Sequence, residues 1–211
     1  READNHFEAQ AAHDAMSEVH GALRVVAGSL NKVANDLRLL ASGPRNGLGE
    51  IDQPENQPGS SIMPGKINPV VAEAVNQVHK QVVGNDAAVA AGAAEGQIDL
   101  NLYKPVIAHN VLQSADLLAN ASGTFAERFV AKLEADEERC AAAVERSMAL
   151  ATALNPAIGY DDASKVAKRA LAEGRTVREV AVEEGYLDPA EADEVLDPER
   201  MTRPGILGGG E

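Results

Sequence analysis

Two adjacent serines, a lysine and an asparagine lie close together in a short segment that is rich in glycine and proline. Ser60 and Ser61 offer hydroxyl groups, Lys66 offers a positive charge, and Asn68 offers a side-chain amide. An apolar, Ala-rich run that begins at Val70 predicts a helix directly after this segment. Because a helix N-terminus presents free N–H groups and the positive end of a dipole, the segment is suited to binding a carboxylate. Composition alone also fits a simple linker that leads into a capped helix.

The segment belongs to a longer stretch, residues 43–69, that shows no regular pattern and contains many glycines and prolines. A loop of this length is uncommon in a compact domain and typically has a function. Before it, apolar residues spaced three and four apart predict one long helix over residues 5–40. The tripeptide Ser42-Gly43-Pro44 ends that helix, because it supplies a flexible residue and a helix breaker.

Further helices are predicted after the loop, with very little strand signal between them. Asn68 is a favoured N-cap residue, and Pro69 suits the first position of the helix that follows. Pro105 predicts a bend in the next helix. The predicted long helices cover residues 5–40, 70–94, 100–130 and 135–154. The sequence therefore predicts an all-α fold that contains a long antiparallel helical bundle.

A domain boundary is predicted near residue 155, where the long helical pattern stops. Thr176, followed three residues later by Glu179, predicts a capping box after this boundary. The predicted short helices cover residues 161–173, 176–184 and 189–195. We therefore expect residues 1–154, including the loop at 43–69, to form the bundle, and residues 155–211 to form a small helical C-terminal domain.

The composition opposes several kinds of partner and site. The net charge of −14 and the pI of about 4.8 disfavour nucleic acid, whose phosphates are also negative. Because salt screens repulsion between like charges, such an acidic surface suits a protein adapted to high salt, and an ordinary acidic cytoplasmic protein is the alternative. No apolar run approaches the roughly 20 residues needed to span a membrane. The five histidines lack the spacing of metal ligands, so we expect no metal and no cofactor.

The single cysteine, Cys140, excludes a disulfide within the chain and fits a reducing compartment. It lies in a helical pattern with no base nearby, so packing is a simpler role for it than chemistry. We therefore expect a cytoplasmic location.

A resemblance to a known family is carried by the string Gly59-Ser60-Ser61-Ile62-Met63-Pro64-Gly65-Lys66-Ile67-Asn68-Pro69. It is similar to the signature loop of the fumarase/aspartase superfamily of lyases, and the resemblance extends over nearly the whole chain. Motifs similar to class II fumarase include His20-Gly21-Ala22-Leu23 and Pro54-Glu55-Asn56. Motifs similar to aspartase include Val70-Val71-Ala72-Glu73 and Met201-Thr202-Arg203-Pro204-Gly205-Ile206. The resemblance favours class II fumarase and leaves aspartate ammonia-lyase as the alternative.

The resemblance implies a role for each polar residue of the loop. Ser60 is implied to be the catalytic base, acting as its alkoxide, and Ser61 to bind the substrate through its hydroxyl. Lys66 and Asn68 are implied to bind a substrate carboxylate, with Ile67 contributing through its backbone.

A further residue is implied in the helix after the loop. Glu73 matches the family glutamate that pairs with a histidine from elsewhere in the protein, which makes it part of the catalytic machinery. A solvated acid near the positive end of a helix dipole would occupy the same position, and that alternative stays open.

The implied reaction is the reversible hydration of fumarate to L-malate, a step of the tricarboxylic acid cycle, through an aci-carboxylate intermediate. The implied assembly is a homotetramer whose active sites are shared between subunits. The family's Thr-His-type loop and its partner histidine have no match in the sequence. We therefore expect the chain to be the C-terminal portion of such a lyase, consisting of part of the central helical domain and the small C-terminal domain. We also expect it to lack part of the active site. A non-catalytic helical oligomer serving as a scaffold is the alternative of another class.

Overall fold

The computed structural model describes residues 2–205, and its contacts divide the chain into two compact units, Arg1–Ala135 and Asp136–Glu211. The helices of the first unit are α1 (His6–Ala11), α2 (Asp14–Leu40), α3 (Val70–Ala94) and α4 (Lys104–Arg128), followed by a 3₁₀ helix at Val130–Lys132. Two short strands, β1 (Ile51–Asp52) and β2 (Glu134–Ala135), pair in an antiparallel manner. The predicted all-α fold is confirmed, since this pair is the only sheet within residues 2–205.

The long helices α2, α3 and α4 pack together as an antiparallel bundle. Arg38 near the end of α2 contacts Asn76 near the start of α3, while Arg24 further back on α2 contacts Asp86 further along α3. The buried residues that join these helices are Ala27, Ala34, Ala72, Val75, Val82, Leu118, Phe125 and Phe129. Because several of them are alanines, the helix backbones can approach closely. The bundle thereby fixes the end of α2 beside the start of α3, where the long loop leaves and returns.

The single helix predicted over residues 5–40 is wrong near its beginning, because the chain leaves the helical path at Ala12. This residue is extended, with φ −94° and ψ 135°. The backbone N–H of Asn101 donates to the carbonyl of Gln10 at 3.2 Å. A segment distant in sequence thus occupies an acceptor that a continuous helix would have used itself.

The helix predicted from residue 100 begins later, at Lys104. Asn101 explains the delay, because its buried side chain builds a turn. Its Oδ1 accepts from the N–H of Tyr103 at 2.7 Å, and its Nδ2 donates to the carbonyl of Gly92 at 2.9 Å. Pro105 therefore lies in the first turn of α4, where proline is tolerated, and the predicted bend is wrong.

The helix predicted over residues 135–154 is divided into α5 (Glu137–Glu145) and a 3₁₀ helix (Met148–Leu154). Two capping side chains explain the division. Asp136 accepts from the N–H of Arg139, and Ser147 accepts from the N–H of Ala149. Each cap begins a new helix, so a single continuous helix is not formed.

The second unit continues with short helices: α6 (Asn155–Ile158), α7 (Tyr160–Glu173), α8 (Val177–Glu183), α9 (Pro189–Val195) and α10 (Pro198–Met201). The predicted capping box of Thr176 and Glu179 is confirmed at the start of α8, and Asp188 with Glu191 forms another at α9. The largest members of its core are Leu150, Leu154, Val166, Val177, Val180, Leu187 and Leu196.

The division of contacts after Ala135 differs from the predicted domain boundary near residue 155. Leu150, Ala153 and Leu154 explain the difference, because they are buried in the core of the second unit. Asn155 therefore lies inside that unit, where the 3₁₀ helix at Met148–Leu154 passes directly into α6.

An ion-pair network joins α7 to α8. Arg169 donates to Glu173 at 2.8 Å, to Glu183 at 2.8 Å and to Glu184 at 2.9 Å. The hydrogen bond from Arg169 is the largest cause of the lowered pKa of Glu173, and likewise of Glu183. These acids therefore keep their charge to a lower pH than an ordinary glutamate does.

Candidate functional site

The long loop between α2 and α3 is anchored at several places. The N–H of Glu50 donates to the carbonyl of Leu40 at 2.9 Å, and β1 pairs with β2 directly afterwards. Further along, Asn56 Nδ2 donates to the carbonyl of Arg128 at 3.2 Å. The loop predicted over residues 43–69 is therefore held against the end of α4, although almost none of it is regular.

The signature segment closes on itself as a small ring. The N–H of Gly59 donates to the carbonyl of Lys66 at 2.9 Å, and Asn68 Nδ2 donates to the carbonyl of Gly59 at 2.7 Å. A side chain at position 59 would clash with the backbone of Lys66, so this close approach requires glycine. Inside the ring, Lys66 N–H donates to Met63 at 3.3 Å, and Gly65 has a φ of +76°, as a type II turn demands.

Ser60 occupies a position that favours negative charge on its oxygen. Its Oγ accepts from the backbone N–H of Ile62 and from that of Met63, each at 3.1 Å. Hydrogen bonds to the charged form of a group stabilise that form. The side chain of Ser60 is half-buried, whereas the neighbouring Ser61 is exposed and makes no hydrogen bond within residues 2–205.

Lys66 presents a free positive charge. Its side chain is exposed and has no ion pair or hydrogen bond in the described part of the chain. It lines a cavity of about 480 Å³ together with Ile67, Arg38, Asp52 and Gln53. Ser60, Ser61, Asn68 and Glu73 are not among the residues that line this cavity. Of the predicted site residues, only the adjacent Lys66 and Ile67 line this cavity, and the fold places Arg38 beside them.

Asn68 does not cap α3, and that prediction is wrong. The residue before the helix is Pro69, and no side chain caps this end among the described residues. Asn68 instead donates across the ring to Gly59, because the loop closure brings that carbonyl within reach. An asparagine amide has two N–H groups, so one remains for a ligand.

Glu73 lies in the first turn of α3 and is half-buried. Its Oε1 lies 3.7 Å from Nη2 of Arg38, which belongs to the last turn of α2. Arg38 Nη1 in turn donates to Oδ1 of Asn76 at 3.0 Å. Arg38 and Asn76 were not predicted as site residues from the sequence. The spacing of Glu73 and Asn76, three residues apart on one helix face, was the available signal.

A second polar cluster lies within the bundle, away from the loop. His20 is fully buried, with Nδ1 2.9 Å from Oδ1 of Asp86 and Nε2 2.8 Å from Oγ of Ser114. Asn85 Nδ2 also donates to Ser114 at 2.9 Å. These bonds satisfy polar groups from α2, α3 and α4, so the cluster fixes the alignment of the three helices.

The described residues contain neither a metal-binding cluster nor a membrane-spanning helix. No cluster of three or more His, Cys, Asp or Glu side chains within residues 2–205 is arranged to hold a metal ion. Over the same residues, no helix has both the length and the apolar character needed to cross a bilayer.

Comparison with known proteins gives consistent matches at both ends of the chain. Residues 1–84 match a family described as Lyase, and residues 150–203 match a family described as Fumarase C C-terminus. A protein named fumarate hydratase class II from Halobacterium salinarum is 84% identical over 99% of this chain, and one of the same name from Corynebacterium glutamicum is 55% identical over 89%. The chain spans only 44% and 40% of the lengths of these two relatives.

A solved structure described as recombinant class II fumarase from Schistosoma mansoni superposes with a TM-score of 0.91 at 39% identity. The match covers 97% of this chain and 43% of that one. Sequence and fold thus agree with the resemblance that the signature loop carries. The chain belongs to the fumarase/aspartase superfamily of lyases, and within it to the class II fumarases.

Proposed function

We propose that the protein containing this chain catalyses the reversible hydration of fumarate to L-malate, as a step of the tricarboxylic acid cycle. The observation that carries the proposal is the geometry of the signature loop. Ser60 Oγ receives two backbone N–H donors, and Lys66 nearby in the same loop has no partner for its charge within residues 2–205. The name of the Halobacterium relative supports the same activity.

The chemistry requires a base and a means of stabilising extra negative charge. In the direction of malate to fumarate, the Ser60 alkoxide removes the proton from the carbon beside one carboxylate. That carboxylate becomes a dianion in its aci form, and the hydroxyl on the neighbouring carbon leaves as water after it receives a proton from the protonated histidine that pairs with Glu73. Lys66 and the free amide N–H of Asn68 bind the carboxylate, because preorganised donors and cations stabilise charge that develops in the transition state.

The remaining predicted site residues have supporting roles in this proposal. Ser61 binds the substrate through its exposed hydroxyl, and Ile67 contributes its backbone. Glu73 pairs with a histidine that another part of the protein supplies. That pairing makes the histidine a stronger proton acceptor, since a neighbouring carboxylate stabilises the imidazolium.

We also propose a homotetramer in which several subunits contribute to each active site, with fumarate and L-malate as the small-molecule partners. Its support is apolar surface on the bundle: the exposed residues include Val19, Val25, Val26, Val33, Val83 and Leu112. Surface of this kind is typical of an interface between proteins. A cytoplasmic protein working in high salt fits the lone cysteine, the net charge of −14 and the Halobacterium relative.

Two alternatives remain, and one assay separates them. The full-length gene product that carries this sequence should be purified in concentrated KCl and given fumarate with water alone or with added ammonium. We expect fumarate to disappear and L-malate to form without ammonium. Conversion to aspartate that requires ammonium would identify aspartate ammonia-lyase. No conversion in either condition, with an intact oligomer, would identify a non-catalytic scaffold.

A further inference from the structure

The carboxylate of Glu73 is contacted by a cation that lies on another helix. Arg38 extends from the last turn of α2 and brings Nη2 to 3.7 Å from Oε1 of Glu73. The separation is that of an ion pair rather than of a close hydrogen bond. The side chains of Arg38 and Glu73 are 38% and 39% exposed. Glu73 therefore has one oxygen turned to Arg38, and its other oxygen is left for a second partner.

Arg38 is itself held in place by two asparagines. Its Nη1 donates to Oδ1 of the buried Asn76 at 3.0 Å. Asn76 Nδ2 donates to Oδ1 of Asn31 at 3.0 Å, and Lys80 Nζ donates to the same oxygen at 2.8 Å. Since Asn31 lies on α2 and Asn76 on α3, this chain of bonds links both helices. The planar guanidinium therefore has a defined orientation, which a flexible ammonium in its place would lack.

Arg38 also reaches the cavity that Lys66 lines. Its Nε is buried and has no hydrogen-bond partner within residues 2–205. Arg38 thus both contacts the carboxylate of Glu73 and lines the cavity beside the signature loop.

We propose that Arg38 is a positioning residue for the reaction, and that Asn76 fixes Arg38 so that Arg38 orients the Glu73 carboxylate toward its histidine. The inference rests on the proposed function, because it assumes that Glu73 takes part in turnover. Arg38 does not touch the substrate in this scheme. It acts through Glu73, so its effect should vanish when Glu73 is no longer a carboxylate.

The structure offers a matched control on the same pair of helices. Arg24, also on α2, bridges to Asp86 of α3 with Nε 2.9 Å from Oδ2. Asp86 also bonds the buried His20, so this second bridge belongs to the alignment of the bundle. Arg24→Met removes an Arg–carboxylate bridge between α2 and α3 without altering Glu73. It measures the cost of losing such a bridge by itself.

The test is a double-mutant cycle in the full-length gene product, with Arg38→Met, Glu73→Gln and the double variant assayed for fumarate hydration. Misplacement of a catalytic group by about 1 Å costs up to roughly a hundredfold in rate, so each single variant should lose about ten- to a hundredfold in kcat. The KM for fumarate should change by less than about threefold. The double variant should be within about twofold of Glu73→Gln alone, because residues that act as a unit are not additive.

Further variants keep the proposal falsifiable if Arg38→Met is poorly folded. Asn76→Ala should lower kcat less than Arg38→Met does. Arg38→Lys should have a kcat between those of Arg38→Met and wild type, because lysine keeps the positive charge but lacks the planar guanidinium. Arg24→Met should keep the wild-type kcat. A double variant whose losses multiply, or a Glu73→Gln variant with wild-type kcat, would overturn the inference and leave the proposed activity standing. A wild-type protein that does not hydrate fumarate would overturn the proposed function, and the inference with it.

Discussion

The ring closure of the signature loop predicts a severe effect of the smallest possible substitution, Gly59→Ala. The added Cβ would lie 2.7 Å from the carbonyl carbon of Lys66, whereas ordinary contacts begin at 3.4 Å. The two backbone segments must therefore separate by roughly 0.7 Å or more, and the carbonyl oxygen must move further. Backbone atoms cannot rotate away as the end of a side chain can. The substitution thus loosens the bond between Gly59 and Lys66 and the bond from Asn68 to Gly59.

Gly59→Ala should lower both the stability of the protein and its rate of turnover. Two weakened hydrogen bonds, each worth about 1 kcal/mol, give a loss of about 2 kcal/mol in the free energy of unfolding. The displacement also moves Lys66 and Asn68, so kcat for fumarate hydration should fall by about a hundredfold.

Both quantities should be measured on the full-length gene product, by thermal unfolding and by fumarate turnover. Gly123→Ala is the matched control, because its added Cβ meets nothing within 4 Å beyond its chain neighbours and the backbone of its own helix, and the helix α4 favours alanine. If Gly59→Ala kept kcat within about twofold of wild type, the ring would not be holding the site, and the reasoning would be refuted.

The remaining predictions concern the base, the chain by itself and the acid sensitivity of the second unit. Ser60→Ala should lower kcat by at least about a hundredfold, the usual worth of a general base, while the oligomer seen by light scattering is unchanged; wild-type turnover would exclude Ser60 as the base. The 211-residue chain alone should show little or no fumarate hydration in the same assay, because the partner histidine must come from elsewhere; robust turnover would contradict this. The pKa values of Glu173 and Glu183 are lowered in the folded state. Their ion pairs therefore stabilise the folded state at pH values above 4.5, the usual pKa of a glutamate, and this stabilisation is lost as the pH falls through the lowered pKa values. Arg169→Met should therefore destabilise the protein near pH 7, with the difference from wild type shrinking between about pH 5 and pH 3 at fixed ionic strength; a constant difference would refute the ion-pair explanation.

Local sequence patterns correctly predicted α3 and the start of α8, because the interactions that form them lie within a few residues of one another. The range predicted for α3, residues 70–94, is confirmed because its helical pattern is uninterrupted and Gly96 follows it. The capping box of Thr176 and Glu179 is confirmed for a similar reason, since all its bonds lie within four consecutive residues.

Contacts between distant residues account for several of the differences from the sequence-based predictions, whereas the division of the helix predicted over residues 135–154 follows from the local caps Asp136 and Ser147. The break at Ala12 depends on the N–H of Asn101, and the role of Asn68 depends on the carbonyl of Gly59 across the ring. The pairing of Arg38 with Glu73 depends on how α2 and α3 are aligned, which the long loop between them does not reveal. The site residues named from the resemblance, including Ser60 and Glu73 as catalytic groups, stay predictions that the proposed variants would test.

The tip of the signature loop supports the proposal that the active site is shared. Ile62 is 91% exposed and Met63 is 57% exposed, although their N–H groups hold the proposed base. A doubly charged aci-carboxylate is stabilised best where water is excluded, because donors and cations act more strongly at low dielectric. An apolar tip open to water on one face would work against that stabilisation. If the proposed base is correct, another part of the assembly must cover Ile62 and Met63 during turnover. We expect the same part to supply the histidine that pairs with Glu73.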